Sequence, residues 1–120
     1  MKKLSTKWSK KVKLTNDDLL VAICDLEGGL STTDLGSHLF KVRVKREHSG
    51  KSSGFRTIIV SQESEKAIFL YGFGKNEKEN IDKAELQYFK KLGNDLLALD
   101  SEELEESIGQ KILFDLKEEK

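Results

Sequence analysis

The chain has 120 residues, enough for one compact domain with a modest core, so residues 1–120 are predicted to form a single domain. Charged residues make up 35% of the chain and hydrophobic residues 37%, and apolar clusters recur along it, which favours a globular protein with a charged surface over a disordered chain. No apolar run approaches the roughly 18 residues of a membrane helix, and no apolar segment of a signal peptide follows the N-terminal lysines, so a cytoplasmic protein is predicted.

The formal net charge of zero hides a strong asymmetry between the two halves of the chain. Residues 1–60 carry twelve Lys and Arg against six Asp and Glu, whereas residues 61–120 carry nine against fifteen. The stretch from Lys41 to Arg56 is the most basic, with six cations and one acid, Glu47. This polarity predicts one basic face on an otherwise neutral protein.

Two helices are predicted in the N-terminal region. Apolar residues at four-residue intervals, Leu4, Trp8 and Val12, indicate a short first helix. The residues Thr15 to Asp18 offer an N-cap and first-turn acids to a second helix, which Gly28-Gly29 is expected to end.

Cys24 stands within the apolar stretch of this second helix. As the sole cysteine it cannot form an internal disulfide, and its apolar neighbours favour a buried structural thiol over a nucleophile. A chain without disulfides fits a reducing cytoplasm.

The central part of the chain has the period of two that is typical of strands. A polar loop is expected over Ser31 to Ser37, with His38 at the start of a strand that runs to Arg46 and presents a row of cations on its outer face. Further strands are predicted at Phe55 to Val60 and Lys66 to Phe73, separated by short polar links. Sequential strands with short connections indicate an antiparallel meander.

The C-terminal part returns to helical spacing. A long amphipathic helix is predicted from Ile81 to Leu97, with Gly93 as the point where it bends or ends. A shorter helix is expected from Ser101 to Gly109, followed by a closing strand at Ile112 to Phe114. Together the elements predict an α+β fold.

Two kinds of site are disfavoured by spacing. Gly50-Lys51-Ser52 lacks the upstream glycine of a phosphate-binding P-loop, and a strand rather than a helix follows it. The two histidines, His38 and His48, are ten residues apart and have no metal-ligand spacing, so neither a metal nor any other cofactor is predicted.

The basic strand and the glycine-rich turn after it remain as the candidate site. A solvated strand face is the plain interpretation of the cations. Two features favour nucleic-acid binding: the cations converge on a turn with backbone room for a ligand, and the aromatic Phe55 directly precedes Arg56. RNA sites commonly combine phosphate-binding cations with aromatic side chains that stack on bases.

Three ordered motifs resemble those of RelE/HigB-like toxins of type II toxin–antitoxin systems, in the RelE/ParE superfamily. They are Phe40 to Arg46, Gly50 to Thr57 and Phe69 to Glu77, and the resemblance extends to the Trp8 segment and to Lys90-Lys91-Leu92. It implies N-terminal helices packed on a curved antiparallel sheet, C-terminal helices, and metal-independent cleavage of messenger RNA on the ribosome. It also implies a cognate antitoxin, expected to be a helix-turn-helix DNA-binding protein, that neutralises the toxin.

The resemblance assigns roles to particular residues. Arg56 matches an arginine of the family's second motif and is expected to clamp the scissile phosphate, because a planar guanidinium fits that group well. The other predicted site residues are cations and flanking aromatic or histidine side chains. The catalytic set adds Lys45, Arg46 and Lys51 to Arg56, and the substrate-binding set comprises Arg43, His48, Phe55, Tyr71, Lys75 and Lys78.

Two alternatives stay open. Some relatives carry arginines and a tyrosine just after the third motif, where this chain has Lys75 to Asn80 and neither residue type. The chain is therefore also compatible with a ParE-like inhibitor of DNA gyrase, which shares the fold, or with a catalytically inactive protein that only binds the antitoxin.

Overall fold

A computed structural model describes residues 2–6, 16–29, 32–45, 54–62, 66–74 and 81–116. These residues form six strands and three helices, so the predicted α+β class is confirmed. In chain order the elements are β1 (Lys2–Thr6), α1 (Asn16–Gly28), β2 (Thr32–Gly36), β3 (Leu39–Lys45), β4 (Gly54–Gln62), β5 (Lys66–Gly74), α2 (Lys83–Leu97), α3 (Ser101–Gly109) and β6 (Leu113–Asp115). No helix in this part of the chain is long and apolar enough to span a membrane.

The six strands form one sheet in the order β2-β3-β4-β5-β1-β6. The predicted meander is confirmed, since β3, β4 and β5 pair antiparallel in sequence. The sheet as a whole is mixed rather than antiparallel, because β1 lies parallel to β5 and separates it from β6.

The prediction of a first helix at Leu4 is wrong, because Lys2–Thr6 is strand β1. Leu4 is completely buried on the sheet, and the backbone of Lys3 accepts a hydrogen bond from the Leu116 amide at 2.9 Å. This segment has one apolar residue in five, which does not distinguish a strand from a helix. The four-residue interval from Leu4 to Trp8 suggested a helical period instead. Trp8 and Val12 lie outside the described residues.

The predicted loop over Ser31 to Ser37 is also wrong, because Thr32–Gly36 forms the edge strand β2. Ser37 and His38 make the two-residue turn to β3 with φ angles of 54° and 66°. Such positive angles at both central residues are those that the primed turns of tight hairpins require. His38 therefore occupies the turn and is exposed, and β3 begins at Leu39.

Two apolar cores lie on opposite faces of the sheet. The face that packs against α2 and α3 is called the α2 face, and its buried residues include Leu39, Val60, Phe89 and Leu104. The face that packs against α1 contains Leu19, Ile23, Val42 and Phe69 among others. Residues of β3 alternate between the two cores, as the strand period requires.

Helix α1 confirms the second predicted helix, and Gly29 ends it with φ +74° and an amide that donates to the Leu26 carbonyl at 3.1 Å. The prediction for Cys24 is wrong: its side chain is exposed. Leu19 and Ile23 turn inward on this helix, whereas Cys24, with Val21, lies on the opposite side.

The long C-terminal helix is confirmed as α2, but Gly93 neither ends nor caps it, since the helix continues to Leu97. Gly93 is buried where α2 crosses β4, close to Val60. Asp82 is the N-cap of this helix, and Asp100 is the N-cap of α3. In both, the aspartate side chain accepts a hydrogen bond from the amide of the glutamate three residues later, and that glutamate's side chain accepts one from the aspartate's amide. The predicted closing strand is confirmed as β6, one residue later than expected.

Candidate functional site

Cross-strand register brings three cations together on the α2 face. Arg43 of β3 lies directly opposite Arg56 of β4, and Lys41 lies two residues before Arg43, opposite Ile58. Positions two apart on a strand share a face, so the three side chains stand on the same side of the sheet. Arg43 is exposed, and the other two are half-buried.

These cations line a cleft of about 430 Å³ at the start of β2. The described lining residues are Gly29, Thr32, Thr33, Lys41, Arg43 and Arg56, none of which is acidic. Like charges placed opposite one another in a sheet destabilise it. Three neighbouring cations without an acid in this lining therefore form a surface suited to a polyanion, and two arginines suit phosphate because the guanidinium donates two parallel hydrogen bonds.

Strand β2 and the end of α1 form the wall of this cleft. Thr33 pairs with Lys41, and Thr32 pairs with Val42, so β3 extends past the beginning of β2. Gly29, the residue after α1, lies at the corner of the cleft, and a Cβ built there would meet no atom within 4 Å. We call the lining set the cation cleft.

Helix α2 and strand β4 are hydrogen-bonded to the β2–β3 hairpin that carries part of the cleft. The side-chain amide of Asn94 donates to the Ser37 carbonyl in the β2–β3 turn at 3.0 Å and to the Lys90 carbonyl at 2.7 Å. The buried hydroxyl of Thr57 donates to the Val42 carbonyl at 2.8 Å and ties β4 to β3. The hairpin of β2 and β3 is thus tied to α2 at its turn and to β4 along β3.

The cation cleft contains two of the predicted site residues, Arg56 and Arg43. Lys41, Thr32, Thr33 and Gly29 were not assigned to the site from sequence. Lys41 could have been assigned to the site, because it is two residues from Arg43 and so lies on the same face of the predicted strand. Thr32 and Thr33 could not, because that segment was predicted to be a loop.

The side chains of most of the other predicted site residues are outside the described part of the structure. Lys45 pairs with Gly54 and Phe55 pairs with Val44 at the adjoining ends of β3 and β4, and only their backbones are described. The remaining five are outside the described residues: Arg46, His48, Lys51, Lys75 and Lys78. Their roles stay predictions.

Tyr71 lines a second cleft on the same face of the sheet, opposite Ile58 and two residues before Phe73, which pairs with Arg56. An extra residue in β5, Leu70, shifts the strand so that both Leu70 and Tyr71 contribute to the α2 face. The Tyr71 ring stacks on Phe89, with centroids 5.1 Å apart. With Tyr88, Leu92 and other apolar residues it lines a groove of about 430 Å³, and its contact with substrate stays a prediction.

Within the described ranges, no three His, Cys, Asp or Glu residues lie together in a way that would hold a metal ion.

Comparison with known proteins gives the family. A family model, that of the RelE toxin of the RelE/RelB toxin-antitoxin system, matches residues 1–116. No curated protein matches the chain at a significant level. The family match covers nearly the whole chain and includes the strands that carry the cation cleft. The chain therefore belongs to the RelE toxin family of toxin–antitoxin systems.

Proposed function

We propose that this toxin is an endoribonuclease that cleaves messenger RNA on the ribosome, and that the cation cleft is its phosphate-binding site. The observation that supports this most is the juxtaposition of Lys41, Arg43 and Arg56 on one face, in a cleft whose described lining has no acid. The RelE family consists generally of endoribonucleases. Messenger RNA in a cytoplasmic ribosome is the polyanion that we expect this cleft to bind.

The proposed chemistry needs no group beyond side chains. The 2′-oxygen loses its proton to a base and attacks the adjacent phosphorus, and the bond from phosphorus to the 5′-oxygen breaks as that oxygen gains a proton. The products are a 2′,3′-cyclic phosphate and a 5′-hydroxyl. Preorganised cations lower the barrier by stabilising charge on the phosphate in the transition state.

We assign the phosphate clamp to Arg56 together with Arg43. Arg56 is half-buried and Arg43 is its direct cross-strand neighbour, so two guanidinium groups converge from adjacent strands. Lys41 is the third cation of the clamp. Lys45, Arg46 and Lys51 remain proposed supporting cations, one of the lysines acting as the base.

The family pairs each toxin with an antitoxin, and we propose that the cognate antitoxin is a helix-turn-helix DNA-binding protein. Its binding would neutralise the toxin. Co-expression with the gene beside it would then restore growth to cells that express the toxin.

Purified components test the proposal. The chain is added to ribosomes carrying a defined message, beside Arg43→Ala, Arg56→Ala and, as a control cation outside the cleft, Lys91→Gln. We expect cuts within codons for the wild type and the control, and at least about 100-fold slower cutting for each arginine variant, since removal of one preorganised donor to a developing anion costs that much.

The same preparations are assayed for inhibition of gyrase supercoiling. Supercoiling inhibition without RNA cleavage would establish the gyrase function instead. Loss of both activities in a folded wild-type chain that still binds antitoxin would identify an inactive partner.

A further inference from the structure

The two sides of the cation cleft differ in chemistry. Strands β3 and β4 contribute only cations, Lys41, Arg43 and Arg56, whereas β2 contributes Thr32 and Thr33. Thr33, opposite Lys41, is on the face that carries the cations, and Thr32, opposite Val42, is on the other face. Lysine and arginine donate hydrogen bonds and accept none, while a threonine hydroxyl does both. The β2 wall therefore provides a recognition chemistry that phosphate does not need.

Thr33 is the best placed of these groups. It is exposed and pairs directly with Lys41 across the β2–β3 ladder, which puts it on the face of the sheet that carries the cations. Directly opposite residues have Cβ atoms about 5 Å apart. Any group that Thr33 contacts must thus be attached close to the phosphate that the cations bind.

We propose that the Thr33 hydroxyl contacts the ribose 2′-hydroxyl next to the clamped phosphate and makes the cleft selective for RNA over DNA. In a nucleotide chain the sugar is bonded to the phosphate, whereas the edge of the base lies farther away. The 2′-hydroxyl is a donor and an acceptor, it is the group that distinguishes RNA from DNA, and Thr33 can pair with either function. This inference rests on the proposed function and adds the sugar to it.

The open corner at Gly29 is consistent with this arrangement. A Cβ built on Gly29, which also lines the cleft, would meet no atom within 4 Å.

Two substitutions isolate the hydroxyl. Thr33→Val keeps the shape and suits an exposed edge strand, whereas Thr33→Ser keeps the hydroxyl. Affinities of the wild type and both variants are measured for a single-stranded RNA oligonucleotide and for DNA of the same sequence, with the integrity of the RNA checked on gels and the fold by thermal unfolding.

We expect the wild type to prefer RNA, and Thr33→Val to lose about three- to tenfold in RNA affinity, the equivalent of one hydrogen bond, with DNA affinity unchanged. Thr33→Ser should keep the preference. An unchanged RNA-to-DNA ratio in Thr33→Val, or equal binding of both by the wild type, would overturn the role of Thr33 while leaving the nuclease proposal intact. Failure of the wild type to bind either strand would overturn the selectivity of the cleft for RNA, whereas the proposed function itself is decided by the ribosome assay.

Discussion

Gly93 allows helix α2 to approach the sheet, and replacing it with alanine tests how tightly the two are packed. An added Cβ would lie 2.8 Å from Val60 Cγ2, 2.9 Å from Val60 Cβ and 3.3 Å from Leu70 Cδ1. Val60 is completely buried and β-branched, so its atoms cannot swing aside as those of a flexible side chain could. The helix or the strand must shift to accommodate the methyl group.

Two opposing effects set the size of the change. Overpacking a core costs about 1–3 kcal/mol, and it should fall in the upper part of that range because the Cβ of Val60 is among the clashing atoms. Alanine gains roughly 1 kcal/mol of helix propensity over glycine. We therefore expect Gly93→Ala to lower the free energy of unfolding by about 1–2 kcal/mol, which is roughly a 4–8 °C lower melting temperature for a domain of this size.

Gly109 provides the matched control. It is the last residue of α3, and a Cβ there would meet no atom within 4 Å. Gly109→Ala should raise the free energy of unfolding by about 0.4–1 kcal/mol. Urea denaturation of both variants gives the comparison, and a Gly93→Ala protein as stable as the wild type would refute the close crossing of α2 and β4.

Three other substitutions test the elements around the site. Lys66→Met removes an ammonium that donates to the Leu97 carbonyl at 2.8 Å and to the Leu99 carbonyl, at the C-terminus of α2. It should lower the free energy of unfolding in urea by about 1–2 kcal/mol, and an unchanged midpoint would show that these bonds do not stabilise the helix end. Asp82→Ala removes the N-cap of α2 and should cost about 1 kcal/mol, with Asp82→Asn recovering most of it by the same measurement. His38→Gly relieves a φ of 66° and should stabilise the protein by roughly 0.5–1 kcal/mol; a lower melting temperature would contradict the turn conformation.

The central hairpins and the helices were predictable because their signals are local. Alternating residues in Leu39–Lys45 marked β3, and capping residues and glycines marked the ends of α1 and α3 to within a few residues. The ends of α2 followed from its apolar spacing, because Gly93 suggested a break that the helix does not have. Strand β1 has one apolar residue, Leu4, so its sequence shows no periodicity. Its structure depends on the pairing with β5.

The sequence predicted the basic surface of the site better than it predicted which residues lie together there. The basic strand indicated the surface, but the neighbours within it depend on register, which places Arg43 opposite Arg56 and Thr33 opposite Lys41. Turn geometry and strand pairing fix that register, and neither is apparent from the composition of β2. The prediction for Cys24 was wrong because Ala22 and Ile23 are buried on the other side of the helix, whereas Cys24 shares its exposed side with Val21.

The most direct test of ribonuclease action is the mapping of RNA 5′ ends in bacteria that express the chain. The wild type, Arg56→Ala and the control Lys91→Gln are induced beside a reporter message. We predict new 5′ ends at fixed positions within translated codons for the wild type and for Lys91→Gln, and none for Arg56→Ala at equal protein level. Growth arrest with intact messages would contradict the assignment of the cation cleft as a ribonuclease site.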